Sequence, residues 1–430
     1  MNSKIAFFLL KAANLVLITV YSFSLVYILI RVVGHSAYPL VVATAAIGNY
    51  VIATDLGYSG YVYFDVRKHF LQGTLADRRR SIGEALTLYF VLALVAGGVG
   101  ALVIMVGAQA ALPLRAALSL FFISVVLPLP WLLLRKVAAA MDHYLVFEVC
   151  ELVRRVSFLA LSLLMLAGLS FLAFSALCIV AWAVSFGVAF AMLARRGLSF
   201  APSSPGDLVR HVRQNRSSIF RSGSLTVLEF LIYNFPYLAI PAVFRNGTDL
   251  IAFDLFYKIS RFGALAYSVP AEATLPHQTR AFHQRRWREV WAYSGAIILV
   301  GGLVCAAAAV VILGFGDQVF RTLLSKGGIV TGGVRLAMVG MLAAMVLQVA
   351  AGSLLVNTGL QGRLAKLTVV TCLFMAGLTL MTLASGLSFE QFLGGYVAAY
   401  ALHAALYASC FVWFVTRSAR RGPAGASGPA

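Results

Sequence analysis

Apolar runs long enough to cross a bilayer recur along nearly the whole chain, and that feature decides the class of fold. Hydrocarbon offers no water to backbone N–H and C=O groups. A segment such as "ALTLYFVLALVAGGVGALVIMVGA" (residues 85–108) must therefore close its hydrogen bonds on itself as a helix. Composition agrees: 61% of residues are hydrophobic, 11% are charged and the mean hydropathy is +0.90, far from the balance of a soluble domain. The chain reads as an all-α polytopic membrane protein. Its first apolar stretch, within "MNSKIAFFLLKAANLVLITVYSFSLVYILI", is too long for a signal-peptide core and shows no cleavage site, so it is expected to be the first span.

About twelve spans of roughly bilayer length are expected. They lie at residues 9–32, 38–64, 83–107, 116–134, 147–168, 171–194, 219–244, 250–273, 291–314, 331–356, 366–384 and 391–416. With both termini cytoplasmic, 22 of the 34 Lys and Arg residues fall on the inner side and 6 on the outer, as the positive-inside rule requires. Trp131, Trp287, Trp291 and Trp413 then fall at cytoplasmic helix ends, where an aromatic belt places them.

The longest extramembrane piece, 195–218, holds Pro, Ser and a basic amphipathic stretch. It is expected to be a cytoplasmic linker, lying on the membrane surface, between six-helix lobes at 1–194 and 219–416. The tail, 417–430, is poor in apolar bulk and expected to be disordered. A shift of about 210 residues carries span 1 onto span 7, Lys11 onto Arg221, and the basic inner loop at 65–82 onto that at 275–290. Such a layout is a parallel repeat about an axis along the membrane normal.

Charges inside spans are the candidate functional residues, since each costs roughly 2.5–3.5 kcal/mol at a helix centre and usually faces a bundle interior or a wet cavity. In "DLFYKISRFG", Asp254, Lys258 and Arg261 share one helical face. Asp254 and Lys258 have the spacing of a mutually neutralising i,i+4 pair, which leaves Arg261 unexplained. Lys11 and Arg221 occupy matching places in spans 1 and 7, Glu229 is central in span 7, and Asp55 sits low in span 2. Lys11 could equally snorkel, and Asp55 could equally be a packing partner for a base. Glu148, Glu151 and Arg155, with Arg154 beside them, read as an interfacial salt-bridge network. The cations Lys11, Arg221, Lys258 and Arg261 form a candidate binding set for phosphate or pyrophosphate oxygens. Glu229, Asp254 and Asp55 are candidates for proton coupling.

Pro128 and Pro130 in span 4, Pro236 and Pro241 in span 7 and Pro270 in span 8 mark bends, static or moving. The five cysteines all lie in apolar runs with no C-x-x-C pair, which argues against disulfides and against a metal site. There is no Walker A, H-E-x-x-H or G-x-S-x-G pattern, so neither ATP hydrolysis nor hydrolase chemistry is expected, and no cofactor is called for. His403 is the histidine inside a span and reads as a hydrogen-bonded packing residue. The net charge of +19 fits cytoplasmic loop bias and contact with anionic lipids rather than nucleic acid.

"TDLGYSG" at the end of span 2, "LRKVAAAMDHYLVFEVCELVRRV" after span 4 and "YSVPAEATLPHQTRAF" at the end of span 8 resemble the bacterial polysaccharide-biosynthesis flippases. These are the O-antigen and exopolysaccharide lipid-linked oligosaccharide transporters of the MATE-like multidrug/oligosaccharidyl-lipid/polysaccharide (MOP) superfamily. The resemblance implies a V-shaped alternating-access transporter in the bacterial inner membrane, without enzymatic activity. Its substrate would be an undecaprenyl-pyrophosphate-linked glycan moved to the periplasmic leaflet, and a polysaccharide polymerase and chain-length machinery are implied partners. Two other readings stand beside it: a MATE-like drug or cation antiporter, which needs an acid-dominated pocket, and a membrane glycan polymerase or glycosyltransferase, which usually needs a larger outer loop.

Overall fold

A computed structural model describes residues 3–420 apart from 54, 56, 200–204, 245 and 359. The side chains of residues 3–8, 53 and many between 205 and 222, Arg221 among them, also lie outside the described set, as does the tail from 421 onward.

Fifteen helices follow one another among the described residues. They are α1 (Ser3–Val33), α2 (Tyr38–Ala53), α3 (Tyr58–Gln72), α4 (Leu75–Gly107), α5 (Leu112–Val126), α6 (Pro128–Ala140), α7 (Tyr144–Leu164), α8 (Phe171–Ala194), α9 (Pro205–Phe244), α10 (Gly247–His283), α11 (Trp287–Gly314), α12 (Gly316–Leu324), α13 (Gly332–Asn357), α14 (Gln361–Ser385) and α15 (Phe389–Arg420). Among the described residues, nine stretches are long and apolar enough to cross a membrane. Of the other expected spans, α7 and α10 carry too many charges for that criterion, and α2 is too short.

Three expected spans are built differently. The one at 38–64 is two helices parted at 54–57, where Gly57 takes a left-handed φ of 72° that a residue with a Cβ adopts only under strain. The one at 116–134 divides at Leu127, because Pro128 has no N–H with which to continue α5. The expected linker helix and seventh span are one continuous helix, α9, with Pro236 and Pro241 inside it.

The chain divides into two compact units, residues 1–230 with 323–325, and residues 231–322 with 326–430. In the first, α1 packs on α7, α7 on α8, and α5 on α2, α4 and α8. The stretch Leu112–Ala140 is its centre: 67% of its most apolar window is buried, against 11% for α4, whose Leu94, Leu102 and Val106 stand 65–76% exposed. In the second, α13 packs against α10, α11 and α15 and is 61% buried, against 17% for α11. Bare apolar flanks around a buried central helix are what a lipid solvent demands.

Hydroxyls along these helices satisfy themselves locally. Ser175, Ser260, Thr368, Thr379 and Thr382 each donate to the carbonyl four residues back, at 2.7–3.1 Å.

Close approach fixes some glycines. A Cβ at Gly100 of α4 would lie 2.0 Å from the ring of Phe122, which is 1% exposed, whereas one at Gly98 would meet nothing within 4 Å. Gly100→Ala is expected to destabilise the protein by about 1–3 kcal/mol through overpacking. Gly98→Ala is expected to be neutral or stabilising by up to about 1 kcal/mol. Paired unfolding curves in detergent check both.

Candidate functional site

In the first unit, α1, α6 and α7 bring together an ionic cluster whose members are distant in sequence. Asn14 of α1 is buried, and its Nδ2 donates to the Glu148 carbonyl at 3.1 Å and to Glu148 Oε2 at 2.9 Å. Arg135 of α6 donates from Nη2 to Glu148 Oε1 at 3.1 Å. One turn along α7, Glu151 accepts from Trp131 Nε1 at 2.7 Å, from Arg154 Nη2 at 2.6 Å and from Arg155 Nε at 2.6 Å. Arg155 also donates to the Asn14 carbonyl. The Arg154 guanidinium lies 4.4 Å from the ring centre of Trp182, with Trp131 and Phe158 beside it, so its flat faces rest on π-clouds while its edge pairs with Glu151. Lys11, half-buried one turn from Asn14, feels the charges of Arg135 and Glu148.

Four cations (Lys11, Arg135, Arg154 and Arg155) against two carboxylates (Glu148 and Glu151) leave this cluster an excess of two positive charges. The sequence places Glu148, Glu151, Arg154 and Arg155 in one network, as expected. Its burial, and the joining of Asn14, Trp131 and Arg135, were not legible, because the α1–α7 contact spans 134 residues and has no local signal. Nor is Arg135 a loop residue: it belongs to α6.

In the second unit, Asp254 and Lys258 of α10 form the expected i,i+4 ion pair. Asp254 is 5% exposed, and its Oδ1 accepts a hydrogen bond from Tyr237 of α9 at 3.0 Å. The carboxylate is therefore answered from two sides, as burial of a charge requires. Arg261 differs. It is exposed and makes no ion pair or hydrogen bond among the described residues. It lies about 21 Å along α10 from Gly247, deep within a bilayer-length segment. On the part of α9 that belongs to the first unit, Glu229 is half-buried and engaged with a partner, while the side chain of Arg221 lies outside the described residues.

Asp55 sits in the break between α2 and α3. It accepts from the backbone N–H of Ser59 at 3.1 Å, from the Ser59 hydroxyl at 3.0 Å and from Tyr89. Its local role is to hold the first turn of α3, a use of a carboxylate at a positive helix end.

A polar track in the second unit was visible in sequence only through His403. The ring is fully buried: Nε2 meets Gln348 Nε2 at 3.3 Å and Nδ1 meets Thr371 Oγ1 at 3.1 Å. Gln348 Oε1 in turn accepts from Tyr233 at 3.2 Å and from Tyr400. Because the amide oxygen is occupied, its NH2 must donate to Nε2, which leaves the proton on Nδ1 to donate to Thr371. The expectation of a hydrogen-bonded packing histidine describes this arrangement.

The sequence matches no protein-family model and no curated protein. Solved structures do match. An inward-facing multidrug resistance MATE family transporter of the MOP superfamily aligns with TM-score 0.71 at 12% identity, over 96% of this chain and 99% of its own. A MATE transporter in a bent conformation gives 0.66 at 14% identity, over 95% and 94%. A MOP superfamily transporter from Pyrococcus furiosus gives 0.65 at 14% identity, over 97% and 96%; reverse polarity of its binding pocket is said to suggest a different function for that protein. At such identities the likeness speaks of architecture, and over 95–97% of its length this chain has the fold of the MATE transporters.

Proposed function

We propose that this chain is a flippase: a transporter that moves an undecaprenyl-pyrophosphate-linked oligosaccharide across the bacterial inner membrane by alternating access, serving O-antigen or exopolysaccharide synthesis. The observation that carries the reading is an excess of positive charge within membrane-spanning helices. Among the described residues Arg261 makes no ion pair or hydrogen bond, and the α1–α6–α7 cluster holds four cations to two carboxylates. Such groups cost several kcal/mol in hydrocarbon unless an anion answers them, and a pyrophosphate offers a guanidinium bidentate, charge-assisted hydrogen bonds. Lys11 and Arg261 are the binding cations in this reading, with Arg221 and Lys258 beside them. The Asp254 bridge shares the charge of Lys258, which makes Lys258 the weaker ligand. Both termini are cytoplasmic in this reading, anionic lipids meet the basic loops, and a polymerase with its chain-length partner receives the product.

A MATE-like antiporter is the second reading. The shared fold favours it, since multidrug transporters use the same architecture. An antiporter for cationic compounds needs a carboxylate free to meet its cargo, whereas Glu151, Asp254 and Asp55 are each held by donors within the protein. Those bonds count against it.

Translocation of a fluorescent polyprenyl-pyrophosphate glycan in reconstituted vesicles tests the proposal. Arg261→Ala is expected to lower the rate about tenfold or more, the loss of one or two charge-assisted hydrogen bonds. Arg261→Lys should keep part of the activity; an unchanged rate in the alanine variant would overturn the cationic mechanism.

Proton coupling is placed on Glu229, Asp254 and Asp55. Under an imposed pH gradient, Asp254→Asn and Glu229→Gln are expected to transport at a rate that no longer follows the gradient, with Asp55→Asn showing a smaller effect. Vesicle assays at matched and unmatched internal pH measure this, and gradient-driven transport that persists in all three variants removes these residues from the coupling path.

A further inference from the structure

Three helices of the second unit begin around one cavity of about 420 Å³. They are α10 behind its cap Asn246, α13 behind Thr331 and α15 at Phe389. The cavity is lined by Thr248, Asp249, Lys326, Ser388, Phe389 and Glu390, together with the glycine-bearing turn at 327–329 and Val334. Glu390 is committed to the fold: it accepts the Thr331 hydroxyl at 2.5 Å and lies so close over α13 that a Cβ on Gly333 would meet its Oε2 at 2.3 Å. Asp249 and Lys326 are not committed. Both line the space, and neither makes an ion pair or hydrogen bond among the described residues.

The charge pattern narrows what would fit. A metal ion or organic cation would face three positive helix ends and the Lys326 ammonium. A polyanion would face Asp249 and Glu390. An uncharged hydroxyl both donates and accepts, so it satisfies a carboxylate and an ammonium at once. Phe389, Ile329 and Val334 add an apolar wall, suited to the C–H face of a sugar ring. The volume lies in the lower part of the range that ligand pockets occupy.

We propose that this cavity is a subsite for one uncharged sugar unit, held by Asp249 and Lys326 across the ring and by Phe389 against its apolar face. The source of the sugar rests on the function proposed above: the cavity opens about 18–20 Å along α10 from Arg261, a distance an oligosaccharide attached to a pyrophosphate bridges. Burial pushes the Asp249 carboxyl up from its ordinary value, as for a group with no fixed cation beside it.

The test is saturation-transfer NMR on the full-length protein in lipid nanodiscs, with glucose, galactose, mannose, rhamnose and N-acetylglucosamine as separate probes. At least one should bind, and Asp249→Asn, Lys326→Met and Phe389→Ala should each weaken it about fivefold or more, the loss of one contact apiece. Lys326 is exposed, so its variant keeps the fold, and melting temperatures verify the other two. The proposal falls if no sugar binds, if affinity is the same in all three variants, or if calcium or inorganic phosphate proves to be the ligand that those variants lose. Arg261→Ala should retain sugar binding. Sugar binding without glycolipid transport would count against the flippase reading and leave the cavity standing; transport without it would count against the cavity alone.

Discussion

A charge inside hydrocarbon has to be answered by the protein, and most of what distinguishes this chain from a plain bundle of oily helices follows from that demand. Glu151 is held by two guanidiniums and an indole N–H, Asp254 by an ammonium and a phenol. Each of these arrangements ties together helices that lipid would otherwise leave indifferent to one another, because leucine is as content against an acyl chain as against leucine. Removing one partner from such a set strands a buried charge, at a cost of about 3–5 kcal/mol. The ion clusters are therefore structural pins as well as candidate machinery, and Arg261, which makes no ion pair or hydrogen bond among the described residues, is the informative contrast within a span.

The two units meet the demand differently. The first concentrates it in one dense knot where α1, α6 and α7 meet, and encloses Arg154 in indole and phenyl rings. The second spreads it along a track of neutral donors and acceptors through Tyr233, Tyr400, Gln348, His403 and Thr371. A neutral track carries little desolvation cost once every member is satisfied, and it fixes the register of α13, α14 and α15 by hydrogen-bond direction, which apolar contact alone does not supply.

Length and hydropathy made the helices legible, and the helical period put Asp254, Lys258 and Arg261 on one face. What failed to show was anything requiring two distant segments to meet. The break at Gly57 was hidden because a left-handed glycine looks like any other glycine in an apolar run, and Asp55 accordingly read as a residue inside a span rather than at a helix start. Arg135 lay one residue past the expected span at 116–134, and nothing local in the sequence pairs it with Glu148 of α7. α7 and α10 are not apolar and charge-poor enough to stand out as spans, because of the very charges that make them interesting.

The serine and threonine hydroxyls folded back onto carbonyls four residues earlier have a mechanical side. Each such carbonyl shares its acceptor capacity between its own helical N–H and a hydroxyl, which lengthens the ladder slightly on one flank. Four of α14's threonines are polar groups in a helix with bare leucines outside; three of them, Thr368, Thr379 and Thr382, bond this way and sit at different heights. A rod softened at several levels bends as a gentle arc instead of snapping at one joint, so curvature in α14 is spread along its length.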